Sequence, residues 1–204
     1  MTKEIAVIGA GGHARSVISL VELLGYTISG IYDDSWVEEK REVIFDYPLI
    51  GKIEHLSSNQ QVVLAIGDSQ LREELFIRLG SQVLPNTLIH PSAIVEKRVD
   101  VGSSNLIFAQ ANVNAGARLG VNNIINSCSI LEHEVHIGDH THISVGSVIA
   151  GRSQVGSNCL LGAGAVVIDK ITVANHVIIG AQAVVIDSIT EPGTYVGNPA
   201  RKIK

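Results

Sequence analysis

The chain is 204 residues long, which gives room for one or two domains and a sizeable core. Its formal charge is −5, only 17% of its residues are charged, and no basic run appears, so the electrostatic footprint of a nucleic-acid partner is missing. No apolar stretch reaches the length of a membrane span, and the N-terminal apolar run is too short for a signal peptide. The two cysteines, Cys128 and Cys159, do not make a disulfide framework, and the chain reads as soluble and cytoplasmic.

The first part of the chain, residues 1–88, predicts a small α/β domain. An apolar strand over Lys3–Ile8 runs into Gly9-Ala10-Gly11-Gly12-His13-Ala14, then an amphipathic helix over Ala14–Leu24 closed by Gly25. A β-branched strand over Thr27–Tyr32 ends in Asp33-Asp34, and an irregular acidic and basic segment follows. A third strand over Val62–Ile66 ends at Gly67-Asp68, a second helix covers Ser69–Leu79, and a strand lies near Val83. Strands alternating with helices predict a parallel sheet. The Gly9-x-Gly11-x-x-Ala14 turn, with Asp33 about twenty residues on, matches a dinucleotide fingerprint, in which backbone N–H groups and a helix N-terminus face a diphosphate. A full dinucleotide needs two mononucleotide halves and this chain has one, so a nucleotide-diphosphate compound fits this half-Rossmann unit better than NAD. A tight strand-to-helix turn with no ligand is the alternative.

From residue 89 to 204 the pattern changes. Sixteen positions spaced six residues apart, from Val95 through Val101, Ile107 and Val113 to Val185, are all Ile, Leu or Val. This is the mark of a parallel β-helix. Gly102, Gly120, Gly138 and Gly156 recur every eighteen residues, as do Gly162 and Gly180, which predicts a three-sided coil with glycine at corners of positive φ. Two residues before the aliphatic position the side chain is often small, as at Ala111, Ser129, Thr141, Cys159 and Ala183, which suits an inward position at a tight corner. Cys159 falls in this series and reads as a small buried hydrophobe.

Histidines concentrate in one coil, at His133, His136, His140 and His142. A surface histidine ordinarily has no function, and His136 and His140 are read that way. His133 is flanked by Glu132 and Glu134, either of which can orient the ring, and its neighbours one coil away are the small Ala115 and Gly151. A basic group beside such space is what a general base needs. His142 lies nine residues on and belongs to another face. The cluster also permits a zinc reading, with histidines from neighbouring subunits as ligands, but no His lies between Val95 and Leu131 to supply an upstream ligand.

Several motifs together carry a family resemblance. They are the GAGGHA turn, Asp33-Asp34, Ala65-Ile66-Gly67-Asp68, Ile89-His90-Pro91, the segment from Asn126 through Leu131-Glu132-His133-Glu134, His142-Ile143-Ser144-Val145-Gly146, and the ending Gly197-Asn198-Pro199-Ala200. With them the chain resembles, over essentially its whole length, the left-handed β-helix sugar acetyltransferases. Its nearest types there are the N-acetyltransferases of nucleotide-linked 4-amino-4,6-dideoxy sugars and the sialic acid O-acetyltransferases. The resemblance implies a left-handed coil, a homotrimer with sites between adjacent prisms, acetyl-CoA as acyl donor, and no metal. It implies His133 as general base and Glu134 as its supporting carboxylate. It further implies nucleotide-sugar contacts at Gly11, Gly12, His13, Asp33, Asp34 and Gly67, and acetyl-CoA contacts at His142, Gly151, Ala163 and Ala181. Ala181 stands where relatives can have Gly, and a backbone contact survives that change. The function expected is transfer of acetyl to the 4-amino group of a UDP- or dTDP-linked sugar in bacterial glycan biosynthesis. O-acetylation of sialic acid or a related sugar is the alternative enzyme, and a nucleotide-sugar-binding scaffold the alternative of another class.

Overall fold

The computed structural model describes residues 3–39 and 42–204, and the chain divides into two compact units, 1–88 and 89–204. In the first unit, strand β1 (Lys3–Ile8) leads to helix α1 (Gly12–Leu23), which buries Ala14, Val17, Ile18, Leu20 and Val21 along one stripe. Strands β2 (Tyr26–Tyr32), β3 (Val43–Ile44), β4 (Tyr47–Gly51) and β5 (Val62–Leu64) follow, then helix α2 (Ser69–Leu79). The sheet order is β3-β4-β2-β1-β5, with β1 parallel to both β2 and β5. Its core gathers Ala6, Ile8, Tyr32, Val62, Leu64 and Leu75.

Two details depart from the sequence reading. The segment after Asp34, read as irregular, contains the β3–β4 hairpin, whose β4 joins β2 in parallel; residues 40 and 41 of that segment lie outside the described set. The Phe45-Asp46 turn places Phe45 at φ 52°, a conformation that a sequence without the usual Asn-Gly signal does not announce. The strand near Val83 is a single bridge from Val83 to Val62.

The second unit is the predicted left-handed parallel β-helix. Val113 pairs with Leu131, Leu119 with Ile137 and Ile125 with Ile143, each an eighteen-residue step from one coil to the next. Three faces result. The first carries strands from Ile94–Val95 to Val184–Val185, the second from Asp100–Val101 to Thr172–Val173, and the third includes Ile124–Ile125, His142–Ile143 and Leu160–Leu161. The inward aliphatics from Ile107 to Val185 are buried, and Val95 and Val101 at the open end are only partly so.

The corners correct the reading of glycine. Positive φ falls on every sixth residue from Arg98 (71°) to Gln182 (56°), three positions beyond the inward aliphatic, and most of these residues are not glycine. Gly102, Gly120, Gly138, Gly156, Gly162 and Gly180 are instead places where coils stack too closely for a side chain. A Cβ on Gly102 would stand 2.5 Å from the Gly120 carbonyl oxygen, and one on Gly162 would stand 2.5 Å from the Ala181 nitrogen.

The small inward residues also form a polar ladder inside the prism. Asn123 N donates to Asn105 Oδ1 (2.8 Å), Thr141 N to Asn123 Oδ1 (2.7 Å), and Cys159 N to Thr141 Oγ1 (3.1 Å). The Thr141 hydroxyl in turn donates to the Gly156 carbonyl at 2.8 Å. Pairing of this kind offsets the cost of burying most of these groups, although Asn123 Nδ2 is buried without a partner. Cys159 is fully buried as expected, and burial pushes its thiol pKa up.

Candidate active site

His133 occupies the corner between the first and second faces, after strand Ile130–Leu131 and before His136–Ile137. The backbone there is set by the next residue, Glu134, at φ 59°, so consecutive side chains 133 and 134 splay outward from the prism edge. Glu134 N donates to the Ala115 carbonyl (3.1 Å) and Arg152 N to the His133 carbonyl (2.9 Å), which locks the corner between its neighbouring coils. The imidazole then lies against the next coil at Gly151. A Cβ at Gly151 would meet His133 Cε1 and Nε2 at 2.6 Å, so the space beside Gly151 is filled by the ring itself. On the other side Nδ1 stands 3.3 Å from Glu134 Oε2, and Glu132 Oε2 accepts from the His133 N–H at 3.3 Å.

Both side chains of the His133–Glu134 pair are more than half exposed (51% and 63%). An exposed pair of this kind contributes little to stability. Its effect is directional: a proton held on Nδ1 and shared with Glu134 leaves the lone pair on Nε2.

The other histidines disperse. His136 projects from the second face between Arg118 and Gln154, and His140 is buried with Nδ1 2.9 Å from Asn122 Nδ2. His142 projects from the third face, with Nε2 3.3 Å from Asn126 Nδ2. Among the described residues no three His, Cys, Asp or Glu side chains gather as a metal site would require.

Ala163 and Ala181 are exposed and stack one coil apart at the corner between the third and first faces. Within one chain the predicted residues therefore separate into two sets. His133, Glu134 and Gly151 share one corner, whereas His142, Ala163 and Ala181 lie on and beside the third face.

In the first unit the glycine turn opens onto a cavity of about 350 Å³. Ala10, Gly11, Arg15, Asp33, Ser35 and Glu42 form its polar wall, and Val43, Ile44 and Leu49 an apolar one. Gly11 and Gly12 are exposed, with open space where a Cβ would stand. Gly11 occupies the N-cap of α1 without a side-chain cap, so the positive end of the helix dipole is available at the cavity. His13 lies half-buried in the first turn.

The two aspartates part company. Asp33 Oδ2 accepts from Ala10 N at 2.7 Å, and Oδ1 accepts from Ser35 N (2.9 Å) and Ser35 Oγ (2.5 Å). Burial works to raise the Asp33 pKa, but the Ser35 and Ala10 hydrogen bonds outweigh it and hold the carboxyl below its ordinary value. Asp33 therefore clasps the glycine turn. Asp34 points elsewhere: Oδ1 accepts from Ile53 N at 3.1 Å, and the residue lines a separate cavity with Lys52 and Arg78. Gly67 lies in the turn after β5, where its carbonyl accepts from Arg72 at 3.2 Å.

Arg15 and Ser35 escaped the sequence reading. Ser35 had a signal in the Asp-x-Ser spacing of an Asx turn. Arg15 carried only its place in the first turn of the helix after the glycines.

The comparisons with known proteins fit this arrangement. Residues 4–79 match the family model described as PglD N-terminal domain. A curated relative, the UDP-N-acetylbacillosamine N-acetyltransferase of Bacillus subtilis (strain 168), is 34% identical over 112 residues, 52% of this chain and 52% of that protein. The aligned stretch thus spans about half the length of that relative. Among solved structures, the acetyltransferase domain of PglB from Neisseria gonorrhoeae FA1090 superposes with a TM-score of 0.91 at 30% identity, over 99% of this chain and 100% of that one. The same domain has been solved in complex with acetyl coenzyme A. PerB from Caulobacter crescentus, solved in complex with CoA and GDP-perosamine, matches at 29% identity and a TM-score of 0.91, over 98% of this chain and 97% of that one.

Proposed function

The chain belongs to the left-handed β-helix family of nucleotide-sugar N-acetyltransferases, and on that premise we propose that it moves acetyl from acetyl-CoA to the 4-amino group of a UDP- or dTDP-linked 4-amino-4,6-dideoxy sugar in bacterial glycan biosynthesis. The observation that carries the reading is the His133 ring seated on Gly151 with Nδ1 toward Glu134. Nothing in the packing of the prism requires this exposed corner. It serves a general base.

In this mechanism the neutral amine attacks the thioester carbonyl carbon while His133 Nε2 takes the amine proton. The C–N bond forms, the C–S bond breaks, and the thiolate of CoA departs and is protonated. Backbone N–H groups stabilise the oxyanion. An acyl-enzyme is not needed: Cys159 is buried in the prism, and Cys128 lies at the corner between the third and first faces, away from His133.

The nucleotide sugar binds at the glycine turn, its diphosphate at the uncapped start of α1 beside Arg15, and acetyl-CoA runs along His142, Ala163 and Ala181. The separation of these residues from the His133 corner supports a homotrimer, in which the third face of one prism supplies them to the corner of the next. Five of the six outward residues of the first face, Ile94, Ile130, Val148, Val166 and Val184, are apolar and the sixth is Asn112, which suits a face largely buried between subunits. The reaction is proposed to take place in the cytoplasm, and no helix among the described residues is long and apolar enough to cross a membrane.

A thiol-release assay with acetyl-CoA and a panel of UDP-, dTDP- and GDP-linked amino sugars and free sialic acid tests the proposal. Turnover is expected with a UDP- or dTDP-linked 4-amino sugar and should persist with a chelator present. Turnover confined to sialic acid would make the protein an O-acetyltransferase instead. Nucleotide binding with no turnover on any acceptor would leave a scaffold.

A further inference from the structure

Arg72, on the first turns of α2, is 1% exposed. Its Nη1 donates to three consecutive carbonyls, Ile66 O at 3.1 Å, Gly67 O at 3.2 Å and Asp68 O at 3.3 Å, and Nη2 reaches Ser69 Oγ at 3.5 Å. Burial lowers its pKa to about 10, against the opposing pull of Asp68, so the group stays cationic at neutral pH. Taking a guanidinium out of water is costly unless its partners compensate. A Leu or Met here would fill the space under α2 without that cost. What Arg72 adds is a fixed course for residues 66–68.

That course reaches the glycine turn. Ala65 N donates to Ile8 O at 2.7 Å, the last residue of β1. Ile66 Cδ1 and Ala65 O stand 2.6 and 2.9 Å from where a Cβ on Gly9 would lie, and Gly9 holds φ 110°. The segment clamped by Arg72 is therefore the wall against which Gly9 bends, and Gly9 leads directly into Ala10 and Gly11 at the cavity.

We propose that Arg72 is a positioning residue of the nucleotide-sugar site: by gathering the 66–68 carbonyls it presses Ile66 onto Gly9 and so sets the geometry of the ligand-binding turn. This rests on reading the glycine-turn cavity as the nucleotide-sugar site. Arg72 does not touch the ligand. It acts through Ile66 and Gly9, and its loss should affect nucleotide affinity while the acetyl-CoA contacts, which belong to the other unit, are spared.

The test is calorimetry on the full chain with UDP, dTDP and GDP, and separately with acetyl-CoA. The proteins compared are wild type, Arg72→Met, Arg72→Lys, Ile66→Ala and the double variant Arg72→Lys/Ile66→Ala, with thermal unfolding of each. Arg72→Met should weaken the preferred nucleotide by about tenfold or more, and Arg72→Lys by less, while acetyl-CoA affinity stays within about twofold. Ile66→Ala should also weaken the nucleotide, and the double variant should lose less than the two single losses combined, because both act on one contact.

A lowered melting temperature with unchanged nucleotide affinity would make Arg72 a structural residue only and overturn the inference. If Arg72→Met does not fold, Arg72→Lys and Ile66→Ala decide, and wild-type nucleotide affinity in both overturns it. Wild-type protein that binds none of the three nucleotides would instead overturn the site reading itself, and Arg72's role with it.

Discussion

At the scale of single residues, His133 depends on a missing atom. Its ring occupies the place of the Cβ that Gly151 lacks, so Gly151→Ala tests the position of the base without removing it. The ring end is the movable part and the exposed corner bears little packing, so the melting temperature should hold. The displaced ring should lower kcat on the order of 10²-fold, the size expected for an ångström of misplacement. His133→Ala should lower kcat by roughly 10²–10⁴-fold with the assembly intact. Steady-state kinetics on both variants checks the pair, and unchanged turnover in His133→Ala would remove the residue from the mechanism. The surroundings of His133 were legible in the sequence, because Glu132 and Glu134 flank it and Ala115 and Gly151 lie one eighteen-residue step to either side. The clasp role of Asp33 was not. The fingerprint suggests a ligand acceptor, and only three dimensions show Ala10 and Ser35 already bonded to both carboxylate oxygens. Arg72 was hidden for a different reason: on a helix pattern an arginine reads as solvated, and its burial follows from where α2 docks.

At the scale of elements, the prism is held by stacked aliphatics and also by the ladder that includes Thr141. Thr141 Oγ1 donates to Gly156 O and accepts from Cys159 N, both inside the coil. Thr141→Val keeps the shape and strands both partners, at a cost of about 1–3 kcal/mol for each buried group left unpaired. Thermal unfolding should show a clear loss, while Thr141→Ser, which keeps the hydroxyl, should lose much less. Equal losses in the two variants would mean that packing of the methyl group, not the ladder, holds this coil. The strands were legible because one aliphatic phase runs unbroken from Val95 to Val185. The corner conformation was not legible, because positive φ falls on Arg98, Cys128, Glu134 and other residues whose type gives no signal. The stacked coils impose that conformation. The β3–β4 hairpin escaped for a related reason, since Phe45 takes its left-handed φ without a glycine.

At the scale of the whole molecule, the site as proposed would be built from two chains. His133 and His142 lie on different sides of one prism. In a trimer, each His133 corner would meet a neighbour's third face. His133→Ala and His142→Ala trimers, each impaired alone, should regain some activity after subunit exchange, because a fraction of interfaces then carries both histidines. Light scattering should report a trimer for each variant. No recovery despite demonstrated exchange would place the whole site within one chain.

The chemistry itself is tested most directly by the bond that forms. Purified protein, acetyl-CoA and a UDP- or dTDP-linked 4-amino-4,6-dideoxy sugar should give a product whose NMR spectrum shows an amide on the C4 nitrogen. One CoA thiol should be released per amide, and the reaction should be nearly lost in His133→Ala. An acetyl ester on a sugar hydroxyl, or thiol release with no acetylated sugar, would contradict the account.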